Sequence, residues 1–242
     1  MKNKEKSERY RNEWKYLISE SEKNAVCLRI KHLIRLDSHA RNGGYMIRSL
    51  YFDDYWNSAF EEKEMGILTR KKYRIRIYNC SDSTIRLERK KKSGSYIYKE
   101  DAPLTREETE KILAGDYGFL LNSPYPLCRE FYVECVSHMM RPRVIVDYDR
   151  EPWIMDVGTV RITFDSDVRA AVLGNNIFEP GLPGLPVLEP GKLIMEVKFT
   201  ELLPQIVREV LPPASSEFTA VSKYVLCYEK TRYLNGFAYW QN

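Results

Sequence analysis

The sequence predicts an α+β fold, an antiparallel β-sheet with flanking helices. Two runs, KKYRIRIYN at 71–79 and TIRLERKKK at 84–92, alternate between apolar and charged residues, as strands with two different faces do. Two other segments, at Ser19 and Thr105, carry a hydroxyl residue followed three positions later by glutamate, the capping box that begins a helix. The length of 242 residues fits one large domain, which we assign to residues 1–242.

The first half of the chain is expected to mix strands and helices. Residues 12–17 form a short strand, and the capping box of Ser19 and Glu22 begins an amphipathic helix that runs to about Asp37. A turn is expected at 42–44, where Asn-Gly-Gly stands. The further predicted elements are a strand at 45–54, a helix near 57–63, a hairpin of 71–79 with 84–92, a strand at 95–101 and a helix at 105–114.

The second half is rich in β-branched and aromatic residues, which favour strands. Four strands are predicted, at 129–137, 141–149, 159–165 and 192–199. Proline and glycine dominate 174–191, so a long loop without regular structure is expected there. Two helices, at about 201–211 and 216–233, end the sequence on either side of Pro212 and Pro213, which neither helix tolerates in its interior.

Composition excludes several classes of protein. Lys and Arg total 38 against 34 Asp and Glu, and this net charge of +4 gives no argument for a nucleic-acid or membrane partner. The N terminus is polar and no segment approaches ~20 apolar residues, so neither a signal peptide nor a membrane span is expected. Five cysteines without a CxxC pair predict reduced thiols. We therefore expect a soluble cytoplasmic protein.

Side chains at alternate positions of a strand share a face, so the charged side chains of these runs lie on one face of the sheet. In 71–79 the opposite, apolar face carries Tyr73, Ile75 and Ile77, and the later strands show the same division. The alternative interpretation is an ordinary antiparallel sheet whose charged face lies in water, although such a face usually mixes both signs of charge more evenly. A barrel with the charged face inward would instead form a basic channel for a polyanion, covered outside by helices. The charged face carries Arg74, Arg76, Arg86, Lys90, Arg161 and Lys198 against Glu88 and Glu196.

The residue types on this face suit phosphate and a hard cation. The planar fork of arginine binds phosphate oxygens bidentately. Glu196 is predicted to bind a divalent cation, Mn²⁺ or Mg²⁺, together with substrate phosphates, because such ions prefer oxygen ligands. For Glu88 the two roles, metal ligand and partner in an ion pair, stay equally open.

Motifs of other chemistries are missing from the sequence. No Walker A loop exists, since Gly191-Lys192 is followed by Leu193, and no GxGxxG occurs. None of the cysteines stands in a nucleophile motif. Tyrosines between the charges would suit RNA, but Tyr73 lies on the face opposite Arg74, so an RNA-binding surface is disfavoured.

Eight short motifs, in order, carry a resemblance that spans nearly the whole chain: EWKY at 13–16, SLYFD at 49–53, YRIRIY at 73–78, LERK at 87–90, YDREPW at 148–153, VRITFD at 160–165, MEVK at 195–198 and SKY at 222–224. With these motifs the chain resembles the VTC domain of vacuolar transporter chaperone polyphosphate polymerases, within the triphosphate tunnel metalloenzyme (CYTH-like) superfamily. The resemblance implies an antiparallel eight-stranded tunnel β-barrel with flanking helices.

The resemblance also implies an activity, its ligands and its residues. The γ-phosphoryl group of ATP would pass to a growing inorganic polyphosphate chain, with manganese or magnesium as cofactor and without nucleic acid. Three classes remain open: a polyphosphate polymerase, a hydrolase of triphosphate or polyphosphate, and a non-catalytic polyphosphate-binding module. The implied residues are the catalytic bases Arg74, Arg76, Lys90, Arg150 and Arg161, the substrate-binding Lys15, Lys99, Lys198, Lys223 and Glu88, and the metal ligand Glu196.

The sequence departs from the superfamily in three respects. The N-terminal ExExK signature appears only as Glu13-x-Lys15, which weighs against a triphosphate hydrolase. Lys99 is assigned by its spacing after the LERK strand and by no motif of its own. The SPX domain and the membrane helices of the eukaryotic enzymes do not occur in this sequence, so a free-standing protein of bacterial type is expected.

Overall fold

The computed structural model describes residues 12–40, 43–94, 96–156, 159–172, 174, 176–200, 202–211 and 217–235. The strands are β1 (Asn12–Ser19), β2 (Arg35–Leu36), β3 (Tyr45–Asp53), β4 (Thr69–Tyr78), β5 (Ser81–Ser93), β6 (Tyr96–Leu104), β7 (Arg141–Met155), β8 (Val160–Ala171), β9 (Gly184–Pro186), β10 (Lys192–Phe199) and β11 (Glu217–Phe218). The helices are α1 (Glu20–Ile30), α2 (Ser58–Glu64), α3 (Arg106–Leu113), α4 (Pro126–Ser137), α5 (Gln205–Val210) and α6 (Lys223–Asn235), with a 3-10 helix at Gly118–Asn122.

All eleven strands belong to one antiparallel sheet, in the order β11-β1-β10-β8-β7-β3-β4-β5-β6, with β2 beside β7 and β9 beside β8. The predicted α+β fold, an antiparallel sheet with flanking helices, is confirmed, whereas the described residues form eleven strands and not the eight that the resemblance implied; eight of the eleven have eight residues or more. The backbone does not close this sheet into a barrel within the described residues. The outer edge of β1 pairs with β11, through Tyr16 with Phe218 and Leu17 with Glu217, and not with β6.

The sheet is nevertheless strongly curved. Lys90 on β5 donates two hydrogen bonds of 3.0 Å to the carboxylate of Glu13 on β1, although five strands separate these two in the sheet order. Side chains therefore bridge the two halves of the sheet across its concave face.

Helices cover the apolar convex face of the sheet. One core cluster packs residues of β1, β8 and β10, such as Ile162 and Val197, against α1 and α5. A second cluster packs residues of β3 to β6, such as Ile75 and Leu87, against α3 and α4. The predicted division into an apolar outer face and a charged inner face is thus present, because the apolar side chains of each strand lie on the face that the helices cover.

Helix α6 packs on β7 and β8 at one end of the concave face. A third core cluster joins Tyr224 and Val225 of α6 to Val146 and Tyr148 of β7. The Tyr224 hydroxyl donates a 2.6 Å hydrogen bond to Asp53, whose carboxylate also accepts backbone N–H groups at the start of α2. These contacts fix the beginning of α6 beside the charged side chains of the sheet.

One predicted strand was wrong. Residues 129–137 belong to α4, which has Pro126 at its first position and buries Leu127, Cys128, Phe131 and Cys135 at helical spacings. This helix covers the core over β3 to β6, and that burial overrides the β propensity of its aromatic and β-branched residues.

Other boundaries also differ from the prediction. Helix α1 ends at Ile30 instead of Asp37, since Arg35 and Leu36 pair with β7 as β2. The loop at 174–191 contains the short strand β9, and the last helix begins at Lys223. The predicted turn residue Asn42, the pair at 212–213 and the predicted helix start at 216 lie outside the described residues.

The capping boxes at Ser19 and Thr105 are both present. The β4–β5 hairpin turns at Asn79 and Cys80, which have φ values of 51° and 53°, as a two-residue turn of the type common in hairpins requires. The five cysteines are free thiols. Among the described residues, none of the helices combines the length and apolar character that crossing a membrane demands.

Candidate functional site

The concave face of the sheet brings together every site residue predicted from the sequence. We call this face the basic trough. Five carboxylates, Glu13, Asp37, Glu88, Asp165 and Glu196, pair with its basic side chains and leave an excess of positive charge. The trough is formed by ten basic side chains: Lys15, Lys72, Arg74, Arg76, Lys90, Lys99, Arg150, Arg161, Lys198 and Lys223.

Glu196 lies at the centre of the trough among four basic groups. Lys198 and Lys223 donate hydrogen bonds to its two oxygens at 2.8 and 3.0 Å, and Arg150 and Lys15 lie at 3.5 and 3.8 Å. Burial raises the pKa of the Glu196 carboxyl, but the charges of these four groups outweigh burial and hold the pKa well below its usual range. The carboxylate is therefore ionised at neutral pH.

Asp165 orients two of the predicted bases. Its carboxylate is fully buried and accepts two hydrogen bonds of 2.7 Å from Arg150, in the bidentate geometry typical of arginine. The Lys223 ammonium lies 2.6 Å from the same carboxylate. Burial raises the pKa of Asp165, and the nearby charges of Arg150 and Lys223 lower it below the ordinary value. Asp165 thereby fixes the guanidinium of Arg150 and the first residue of α6.

Glu88 organises the bases on β4 to β6. Arg74 and Lys99 donate hydrogen bonds of 2.7 and 2.6 Å to its two oxygens, and Arg76 approaches to 3.6 Å. Both Glu88 oxygens are thus engaged by basic side chains, which is the ion-pair arrangement left open by the sequence.

Glu13 is a trough residue that the sequence analysis did not assign to the site. Besides its bonds to Lys90, it lies 3.3 Å from Lys15. Burial raises its pKa, but the charges of Lys90, Lys15 and Lys198 hold the pKa well below the usual range. The signal that identifies Glu13 in retrospect is parity, because it shares a strand face with Lys15 two residues later.

Lys72 was also missed, and it differs from the other trough bases. Among the described residues no carboxylate forms an ion pair with it; its ammonium donates a 3.2 Å bond to the Ser222 hydroxyl and lies 4.7 Å from the ring centroid of Tyr224. Burial, followed by the charges of Lys15 and other basic groups, lowers the pKa of Lys72 to about 7. For Lys90, burial outweighs the attraction of Glu13 and lowers the pKa to about 8.

Several buried polar atoms of the trough have no hydrogen-bond partner in the part of the chain that the structure describes. They include Nε of Arg76, Nε of Arg161 and the hydroxyls of Ser49 and Thr163. Buried polar groups are normally paired. Ser49 lies opposite Arg76 on the neighbouring strand, and Thr163 lies opposite Glu196. The trough therefore has unused hydrogen-bonding capacity beside its central bases, as expected of a surface that binds a polar anion.

The carboxylates of the trough are also the groups that could bind a divalent cation. Glu13 and Glu196 supply hard oxygen donors, and both lie within 4.0 Å of the Lys15 and Lys198 ammonium groups. Within the described ranges, no group of three His, Cys, Asp or Glu side chains is placed to hold a metal ion. Two carboxylates alone do not complete a metal site, so a hard divalent cation in the trough would need phosphate oxygens of a ligand for its remaining positions.

The low pKa of Lys72 predicts proton uptake on binding of a polyanion. Near pH 8 the Lys72 amine is mostly neutral in the free protein, and a bound phosphate chain raises its pKa toward the ordinary value of 10.5. Triphosphate binding at pH 8 should therefore take up protons, and Lys72→Arg should lower this uptake by most of one proton, because arginine stays charged. Calorimetry in buffers of different ionisation enthalpy measures the uptake, and an unchanged value in the variant would contradict the prediction.

Comparisons with known proteins place this geometry in a family. A search of curated proteins finds no match to this chain. Solved structures with a similar fold include a Hippeastrum protein assigned as a candidate adenylyl cyclase, for which a dominant triphosphatase activity is described (13% identity, 92% of this chain and 96% of that chain, TM-score 0.54). A candidate adenylate cyclase from Vibrio parahaemolyticus (11% identity, 90% and 98%, TM-score 0.51) and a protein from Pyrococcus horikoshii OT3 (15% identity, 91% and 99%, TM-score 0.50) are also similar.

At these identities the solved structures establish a shared fold. The family model named VTC domain, in contrast, matches residues 10–232, which contain all eleven strands and every basic residue of the trough. The chain belongs to the VTC domain family.

Proposed function

We propose that this protein is a polyphosphate polymerase, which transfers the γ-phosphoryl group of ATP to a growing inorganic polyphosphate chain in the basic trough. The observation that carries the proposal is the trough itself, where ten basic side chains exceed five carboxylates on the concave face of a VTC domain. A linear chain of phosphates matches such a row of cations in charge along its whole length.

The residues are assigned to roles by their place in the trough. Arg74, Arg76 and Lys90 would hold the donor phosphates, while Arg150 and Arg161 would neutralise charge at the point of transfer. Lys15, Lys99, Lys198 and Lys223 would bind the remaining phosphates, and Glu88 would position Arg74 and Lys99 through its ion pairs. Asp165 keeps the Arg150 guanidinium oriented throughout, so that little reorganisation accompanies the reaction.

Phosphoryl transfer needs little covalent participation by the protein. A terminal oxygen of the acceptor chain would form the new P–O bond while the bond between the γ-phosphorus and the bridging oxygen of ATP breaks, releasing ADP and leaving a chain one phosphate longer. Positioning and neutralisation of charge supply most of the rate in such reactions. A Mn²⁺ or Mg²⁺ ion held by Glu196 would supply further neutralisation of the phosphoryl oxygens.

The test is the product formed from ATP. Purified protein incubated with ATP and manganese should give a ladder of lengthening polyphosphate on a gel, with ADP in equal amount to the phosphate incorporated. A hydrolase of triphosphate or polyphosphate, which is favoured by the activity described for the Hippeastrum neighbour, would instead give free phosphate from those substrates. A non-catalytic polyphosphate-binding module would give neither product.

Arg76→Lys tests the role of the guanidinium. Arg76 is buried, and its Nε is without a partner in the described chain, so a phosphate oxygen can use a donor that lysine lacks. Loss of one hydrogen bond to a charged group predicts that kcat/KM falls roughly tenfold or more. Steady-state kinetics of wild type and variant measure this, with Arg106→Lys as a control, because Arg106 lies on α3 outside the trough, is 52% exposed and pairs with Glu110. Equal activity of Arg76→Lys and wild type would show that the Arg76 guanidinium does not bind the substrate phosphates.

A further inference from the structure

At the end of the trough formed by the start of β4 and the end of β5, basic side chains lie directly opposite one another. In the pairing of β4 with β5, Arg70 lies opposite Lys92, and Lys72 lies opposite Lys90. Like charges directly opposite in a sheet are destabilising unless another group neutralises them. For Lys90 that group is Glu13.

The other three members of these pairs have no such group. Among the described residues, no carboxylate forms an ion pair with Arg70, Lys72 or Lys92, and Arg70 instead donates a 2.5 Å bond to the backbone carbonyl of Ile67. The charges of Arg70 and Lys63, after burial, lower the pKa of Lys92, which shows that these groups lie within electrostatic reach of each other. The fold therefore holds these like charges together without an ion-pair partner among the described residues, although the charge of Glu13 acts on Lys92 from a distance.

Arg70 and Lys92 lie beyond the ion-paired part of the trough. Lys92 is four residues from Glu88 along β5, a distance of roughly 13 Å in an extended strand. It has the same parity as Glu88 and Lys90 and so opens onto the same face. A phosphate chain bound by the bases around Glu88 must therefore extend by roughly this distance along β5 to reach Lys92.

We propose that Arg70 and Lys92 form an outer subsite for the distal phosphates of a linear polyphosphate, through which the protein distinguishes long chains from short ones. This inference rests on the proposed function for the identity of the ligand. A bound chain neutralises the charges of Arg70 and Lys92, and only chains long enough to pass beyond Lys90 make these contacts.

The experiment compares two ligands, without metal, in the wild type and in two variants. Affinities of the full chain for triphosphate and for a long linear polyphosphate are measured by calorimetry for wild type, for Arg70→Met with Lys92→Met, and for Lys91→Met. Lys91 is the matched control, because it is adjacent to Lys92, is exposed and has the opposite parity. The double variant removes a like-charge pair, so its melting temperature should equal or exceed that of wild type.

The expected result is a selective loss. Affinity for the long chain should fall at least about tenfold in the double variant, with a shallower salt dependence, while affinity for triphosphate changes less than about twofold. Lys91→Met should change neither. Equal losses for both ligands, or an equal loss in Lys91→Met, would overturn the subsite.

Failure of the proposed function is distinguishable from failure of this inference. A selective loss of long-chain binding in a protein that forms no ladder from ATP would retain the subsite and remove the polymerase. A ladder from ATP without the selective loss would support the polymerase and rule out the subsite.

Discussion

Replacing Glu196 with glutamine is expected to lower metal-dependent turnover by roughly 100-fold or more, since the amide keeps the shape of the side chain but lacks the charge that a hard divalent cation needs. Binding of triphosphate without metal should survive or become tighter. The reason lies in the surroundings of Glu196, because loss of its negative charge leaves the four cations around it less neutralised and so more attractive to phosphate; they are Lys15, Arg150, Lys198 and Lys223.

A manganese titration of the initial rate measures the first effect, and calorimetry without metal measures the second. Glu88→Gln is the control, since it removes one negative charge from the same trough at a carboxylate engaged by Arg74 and Lys99. The control should alter phosphate affinity and leave the manganese dependence in place. If the titration curve of Glu196→Gln matched that of wild type, Glu196 would be only an ion-pair partner of Lys198 and Lys223.

Asp165→Asn is expected to destabilise the protein by about 3–5 kcal/mol, which corresponds to a fall of roughly 10 °C in melting temperature for a chain of this length. The variant leaves the buried cations of Arg150 and Lys223 without the fully buried carboxylate that both contact. Triphosphate should raise the melting temperature of the variant more than that of wild type, because it neutralises the cations that Asp165 no longer balances.

Asp167→Asn on the same strand provides the comparison for this experiment. Asp167 is half exposed and pairs with Arg169 at 3.2 Å, so its replacement should change stability by less than about 0.5 kcal/mol. Asparagine also tolerates the positive φ of 47° at this position. Thermal melting with and without triphosphate decides the matter, and similar melting temperatures for Asp165→Asn and wild type would show that Asp165 is not needed to hold the two cations.

Much of the fold follows from local patterns. The alternation in β4, β5 and β10 and the capping box of α3 are properties of short segments, so the sequence predicts these elements within a few residues. The alternation in β8 predicts its start, but the strand runs six residues past the predicted end at 165. Helix α4 was missed because its aromatic and β-branched residues favour strands, and only the core that it covers decides in favour of a helix. The strand that pairs with the outer edge of β1 is β11, and no local sequence pattern predicts this pairing between distant segments.

The site was predictable in one respect and not in another. Parity along each strand identified Arg74, Arg76 and Lys198 as residues of one face. Their partners were not predictable, because each ion pair joins segments distant in sequence, as Lys90 on β5 does with Glu13 on β1. The environment of Lys72 depends on Ser222 and Tyr224, at the other end of the chain.

The use of both faces of each long strand has a consequence for how chain length varies in this family. Deleting or inserting a single residue within β4 would turn Arg74 and Arg76 toward the core beneath α4 and would turn Ile75 and Ile77 into the basic trough. Substitution by a residue of the same character disturbs neither face. Strand interiors should therefore keep a constant number of residues while they exchange one apolar or basic residue for another, and differences in length should be confined to the connections between strands.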